Sequence, residues 1–282
     1  MKKVVLPFLL TILFSSYVCA EVEVPEIRVD MCGELEVEIA GQKQLGVFFE
    51  KIERGKKLGA SHDDRIYYEK ACRLKSINCD ASNPECPDVP EEDKIRELPS
   101  EIGEFTELEC IDLCDNKITK FPPEFWTLPH LSQLSLGKNG LTRIPPEIGQ
   151  LKNLKELSLV CNELAVLPKE IENLTNLKKL HLDWNKFVTF PTEIGKLTAL
   201  MTLTLECNKL ETLPSDIGNL VKLSYLDLTG NKLVTLPQEI MQCNLMWLLM
   251  DSNNIKSLPE KVIEGIKTIR CVIWPYDPIC GY

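Results

Sequence analysis

The chain has three histidines, His62, His130 and His181, and His181 has company that could do chemistry. Ser158 lies 23 residues before it and Asp183 two residues after it. A hydroxyl, an imidazole and a carboxylate are the parts of an acyl-transfer centre, in which the imidazole takes the hydroxyl proton and the carboxylate orients the ring. Asp183, Glu206 and Asp227 offer a second chemistry, because clustered carboxylates can hold calcium. Cys72, Cys79 and Cys86 stand seven residues apart, a wider spacing than zinc-binding pairs use. Three scattered histidines do not suggest a histidine-rich metal site. There is no glycine-rich phosphate loop and no basic stripe.

What must position these residues is a repeat. Leu98-Pro99, Phe121-Pro122, Ile144-Pro145, Leu167-Pro168, Phe190-Pro191, Leu213-Pro214 and Leu236-Pro237 recur every 23 residues, and Leu258-Pro259 follows after 22. Asn116, Asn139, Asn162, Asn185, Asn208, Asn231 and Asn253 keep the same beat, as do the leading leucines from Leu108 to Leu245. Each copy has the form L-x-x-L-x-L-x-x-N-x-L followed by L-P-x-x-I-G-x-L. The alternation Leu157-Ser158-Leu159 predicts a short half-buried strand, leucines inward and serine outward. Asn162 satisfies backbone groups left unpaired by the turn. Pro168 suits the start of a short helix, where no N–H is needed. One copy cannot bury its apolar face, but stacked copies form one continuous core.

Neighbouring strands lie about 4.8 Å apart, so outward positions fall into columns. The first runs Cys110, Gln133, Glu156, Lys179, Thr202, Tyr225, Trp247. The second runs Asp112, Ser135, Ser158, His181, Thr204, Asp227, Leu249, and the third Cys114, Gly137, Val160, Asp183, Glu206, Thr229, Asp251. Ser158 and His181 become lateral neighbours. A shallow sheet face supplies neither the pocket nor the oxyanion hole that hydrolysis needs, so the expectation is a polar binding surface and not an enzyme. The carboxylates are expected to meet a basic partner, with no metal and no cofactor. Tyr225 and Trp247 are aromatic where the repeat asks for none, and Trp184 stands where other copies have Asp115, Lys138, Cys161, Cys207, Gly230 or Ser252. Exposed aromatics anchor interfaces. The expected partner-binding face is therefore Lys179, His181, Asp183, Trp184, Glu206, Tyr225, Asp227, Trp247 and Asp251, and the partner is a protein presenting basic and apolar groups.

The pattern resembles the leucine-rich-repeat family in its 23-residue L-P-x-x-I-G-x-L style, over about residues 93 to 260. The resemblance implies an α/β fold, a right-handed horseshoe solenoid with a parallel concave sheet, and it implies protein binding on that sheet. Members of this style are frequently intracellular. Similar secreted versions occur in microbes that live on or in hosts, which by analogy suggests microbe–host or cell-surface interaction.

The ends differ from the array. Lys2 and Lys3, an apolar run from Val4 to Val18, and Val18-Cys19-Ala20 before an acidic stretch predict a signal peptide over 1–20, cut before Glu21. The expected location is therefore extracellular, with no membrane span. Residues 21–92 form a cap region with four cysteines, Cys32, Cys72, Cys79 and Cys86, expected as disulfides over a zinc site. Apolar spacing around Arg65–Leu74 suggests a helix there. Residues 261–282 are expected to cap the other end, with Cys271 and Cys280 as a disulfide candidate. Removing Cys19 with the signal leaves eleven of twelve cysteines, so at least one thiol stays free or pairs between chains. That count supports an alternative reading as a coat or matrix component that associates with itself. The net charge of −10 argues against nucleic acid as partner. Asn173-Leu174-Thr175 is an N-glycosylation acceptor motif.

Overall fold

The structure is a computed structural model that describes residues 27–29, 35–57, 61, 71, 74, 76–78 and 91–273. The expected signal peptide, and Cys32, Cys72, Cys79, Cys86 and Cys280, lie outside these residues. Strands β1 (Ile27–Val29), β2 (Leu35–Glu38), β3 (Ser76–Asn78), β4 (Cys110–Asp112), β5 (Gln133–Ser135) and β6 (Glu156–Ser158) begin one sheet. It continues through β7 (Lys179–His181), β8 (Thr202–Thr204), β9 (Tyr225–Asp227), β10 (Trp247–Leu249) and β11 (Cys271–Ile273). The strands lie side by side in chain order. Among the described residues only β1 runs antiparallel to its neighbour. Helix α1 (Gly41–Lys56) precedes β3 and helix α2 (Glu260–Ile266) precedes β11.

The strand of each repeat follows from its alternation. Leu180 and Leu182 are buried while Lys179, His181 and Asp183 look outward. The return path is a five-residue 3-10 turn, such as Thr192–Lys196, rather than an α-helix. The proline sits just before it in extended conformation, as Pro191 does. Ile194 and Leu197 close the core from the convex side. The glycine of the I-G pair is required by close approach. A Cβ on Gly195 would stand 2.8 Å from the carbonyl oxygen of Asp216 in the next repeat.

The asparagines form a buried ladder. Asn162 donates through Nδ2 to the carbonyls of Leu136, Leu159 and Val160 at 2.9, 3.0 and 3.3 Å. Its Oδ1 accepts the N–H groups of Asn139 and Leu141 at 3.1 and 2.9 Å. Among the described residues no buried side-chain polar atom is left without a partner. The residue before each asparagine takes a left-handed conformation: Asp115, Lys138, Cys161, Trp184, Cys207 and Ser252 have φ between 52° and 57°, and Gly230 has 68°.

The N-terminal end departs from expectation. The sheet does not begin with the half repeat at 93. It runs back through β3 and β2 into the cap. Leu74 and Ile77 occupy the places of Leu108 and Ile111, both fully buried or nearly so. Ala71 is helical and Leu74 is not; the rest of the helix expected at 65–74 is mostly outside the described residues. Helix α1 covers the end of the core with Leu45, Phe48, Phe49 and Ile52, and Phe105 packs on both phenylalanines. Asp93, standing where an asparagine would, pairs with Lys43 of α1 at 2.9 Å.

Candidate functional site

Strand register places the outward columns as their spacing predicts. Ser158 is paired with His181, His181 with Thr204, and Thr204 with Asp227. Tyr225 is paired with Trp247, and Trp247 with Cys271 of β11. The concave face is therefore a continuous surface three outward positions wide, carried on strands that leucines pin from beneath.

The serine, histidine and aspartate do not connect as a relay. Asp183 turns toward the next repeat, where Oδ1 accepts the Glu206 N–H at 2.8 Å and Oδ2 accepts the Thr204 hydroxyl at 2.5 Å. Thr204 has spent its proton on Asp183, so its oxygen can only accept from His181. The 3.1 Å contact to His181 Nδ1 therefore fixes Nδ1 as the donor. Nε2 faces Glu156 Oε1 at 3.9 Å. Glu156 also takes Lys179 Nζ at 3.0 Å. The result is a polar strip across β6, β7 and β8 whose members hold one another. Glu156 and Thr204 belong to it, although their types alone did not mark them. Among the described residues no group of three His, Cys, Asp or Glu is placed to hold a metal ion.

From Asp183 onward the face changes character. Asp183, Glu206, Asp227 and Asp251 have no ion-pair partner among the described residues, whereas Glu156, Glu163, Glu104 and Asp93 each meet a lysine. Asp227 uses one oxygen on the Thr229 N–H, and Asp251 one on the Ser252 hydroxyl. Among the described residues the Glu206 carboxylate accepts one hydrogen bond, from the Cys207 thiol to Oε1 at 3.7 Å. The field of these groups is felt nearby. Burial, then Asp227, Asp183 and Glu206, push the Tyr225 phenol above its ordinary range. Burial, then Glu206, Asp183 and Asp227, push the Cys207 thiol up.

The aromatic residues separate into three environments. Tyr225 is half-buried, Trp247 is 39% exposed and Trp184 is 56% exposed on its left-handed turn. Around Trp247 lie apolar residues that the expected site omitted. Met246 precedes it, Leu249 shares its strand, and Ile273, 49% exposed, pairs with Leu249. Met201 stands before β8 in the same column as Met246. The signal that could have found them was that column, one residue ahead of the first outward one. Cys271 carries a free thiol, half-buried beside Trp247. Asn173 ends a 3-10 turn on the opposite, convex side and is exposed.

This geometry has known counterparts. The family described as "Leucine-rich repeat region" matches residues 91–190, and "Leucine rich repeat" matches 190–233. The chain belongs to the leucine-rich-repeat family. A leucine-rich-repeat protein of Leptospira interrogans is 34% identical, with a TM-score of 0.63, over 72% of this chain and 55% of that one. The plant peptide hormone receptor RGFR1, in complex with RGF2, is 27% identical at a TM-score of 0.59 over 88% of this chain and 36% of its own. Internalin C2 of Listeria monocytogenes is 19% identical at 0.61 over 80% and 91%, a likeness of fold. The chain thus spans about half or less of the first two relatives. No curated protein matches it. The parallel sheet with short 3-10 turns is the leucine-rich-repeat solenoid that the family resemblance implied. No helix among the described residues is long and apolar enough to cross a membrane.

Proposed function

We propose that this leucine-rich-repeat chain is a secreted module that binds a protein partner through the concave face from β7 to β10, and that the partner presents basic and apolar groups there. One observation carries the reading. Four carboxylates without ion-pair partners among the described residues stand along the part of the face that also exposes Trp184 and Trp247, whereas Glu156 and Glu163 of the preceding repeat each pair with a lysine. Carboxylates on adjacent strands repel unless a cation meets them. Large exposed apolar groups beside them favour a partner that covers both. The rigid sheet limits the ordering cost of association. Similarity to a plant peptide hormone receptor in complex with RGF2 supports a protein or peptide partner. Microbe–host or cell-surface contact is the setting we propose for the chain, by analogy with the secreted family members that the sequence resembles.

The test is capture from host and self extracts with the chain made through a secretory route, followed by cross-link mapping. Cross-links on β7 to β10 and an N-terminus at Glu21 support the reading. Cross-links confined to the 3-10 turns, or an uncut N-terminus, contradict it. Copies of the chain linked through cysteine and nothing else captured would favour self-association instead.

A further inference from the structure

The charged and apolar parts of this face occupy different places, and their separation selects a partner geometry. Asp183 reaches over β8 to the Thr204 hydroxyl and the Glu206 N–H, the Glu206 carboxylate lies 3.7 Å from the Cys207 thiol, and Asp227 stands in register with Thr204, so the three carboxylates gather over β8 and β9. Trp247, Leu249 and Ile273 lie over β10 and β11, with Leu249 and Ile273 in lateral register. Two strand spacings of about 4.8 Å separate the two centres, and the acidic centre is displaced toward the C-terminal ends of the strands by about one outward position, near 6.6 Å. The distance between them is therefore about 12 Å. An extended chain advances about 3.3 Å per residue, so it covers this distance in three or four residues.

The aromatic surface next to the carboxylates narrows the chemistry of the basic group. Tyr225 stands between the acidic centre and Trp247, in register with Trp247, and no ring contact among the described residues joins the two. A guanidinium can lie on an aromatic face while its fork meets carboxylates, which an ammonium does less well. Resting on the protein-binding role proposed above, we infer that this end of the face takes an extended segment of a protein partner in which an arginine and a large apolar residue stand three or four positions apart. Arginine lies over β8 and β9, and the apolar side chain lies on Trp247.

A peptide array tests this with the full chain. The probes are acetylated, amidated Gly/Ser peptides carrying one Arg and one Phe, separated by one to nine positions in both orders. Maximal binding at three or four positions, at least tenfold above the other spacings, is expected. Replacing Arg by Ala in the best probe should weaken binding tenfold against the native chain. It should change nothing against Glu206→Gln/Asp227→Asn, with circular dichroism confirming the fold. Trp247→Ala should in the same way erase the effect of Phe→Ala. A flat response, an optimum at seven or eight positions as a helix would give, or an Arg effect that survives in the carboxylate variant overturns the inference. A captured protein whose cross-links fall on β7 to β10, together with such a flat array, removes this inference and leaves the proposed function standing.

Discussion

Asp183 reaches across the sheet to accept the backbone N–H of Glu206 in the next repeat, at 2.8 Å. Asp112 and Asp227, one outward position earlier in their repeats, instead bond within those repeats, to the N–H groups of Cys114 and Thr229. Asp183 thus ties two repeats together while its neighbour Glu206 stays available. Charge reversal at Asp183 would disturb the strand, so Glu206 is the residue at which to probe charge alone.

The reactivity of Cys207 follows from that arrangement. Burial and the three nearby carboxylates raise its pKa, which lowers the thiolate fraction at a given pH. Iodoacetamide labelling of Cys207 at pH 8, read by mass spectrometry on its peptide, should be faster in Glu206→Gln than in the native chain. An unchanged rate would mean that the acidic field does not reach this position.

The asparagine ladder sets a stability prediction. Asn162→Ala strands two buried N–H donors and removes the donor shared by three carbonyls. Each unsatisfied buried group costs about 1–3 kcal/mol, so a loss of about 3–5 kcal/mol in urea unfolding is expected. Asn162→Asp should do no better, since a carboxylate keeps the acceptor but cannot donate. Asn253→Ala, half-buried near the end of the array, should cost less.

Two glycines should respond in opposite senses to alanine. Gly46 lies inside α1, and a Cβ added there would meet nothing within 4 Å. Gly46→Ala should therefore stabilise by about 0.5–1 kcal/mol through helix propensity. Gly195→Ala drives its methyl group toward the Asp216 carbonyl at 2.8 Å and should lower the melting temperature. Equal shifts from both would contradict the packing described for the convex side.

Acid should weaken the junction between cap and array. Lys117 and Lys94 hold the Glu91 carboxyl at about 2 instead of its ordinary 4.5, across contacts of 2.8 and 2.7 Å. A depressed folded-state value contributes stability above pH 4.5 that is lost as pH falls toward 2. Glu91→Gln should therefore be less stable than the native chain near neutrality, with the two converging near pH 2. A constant difference across that range would contradict the ion pairs. Glu91 is fully exposed, so the effect should be small and salt-sensitive.

Much of this molecule was legible because the repeat turns sequence spacing into position. Columns read from Leu157, Ser158 and Asn162 placed His181 beside Ser158 and Tyr225 beside Trp247, as the register has them. Three things were hidden. Leu74 and Ile77 belong to the sheet, but Leu74 precedes Leu108 by 34 residues, which breaks the beat of 23. The strand Cys271–Ile273 carries no leucine and follows a helix, so it gave no repeat signal. Side-chain direction within a column was also beyond spacing. Asp183 sits two residues from His181, yet bonds to Thr204, because the next strand offers a hydroxyl and an N–H together.

The most direct test of the central claim is the affinity of the captured protein partner for Trp247→Ala and Tyr225→Ala, measured by calorimetry beside the native chain. Anchors of an interface cost about 2 kcal/mol or more on truncation, so binding should weaken by roughly thirtyfold in each variant with the circular dichroism spectrum unchanged. Native affinity in both folded variants would contradict a concave-face site.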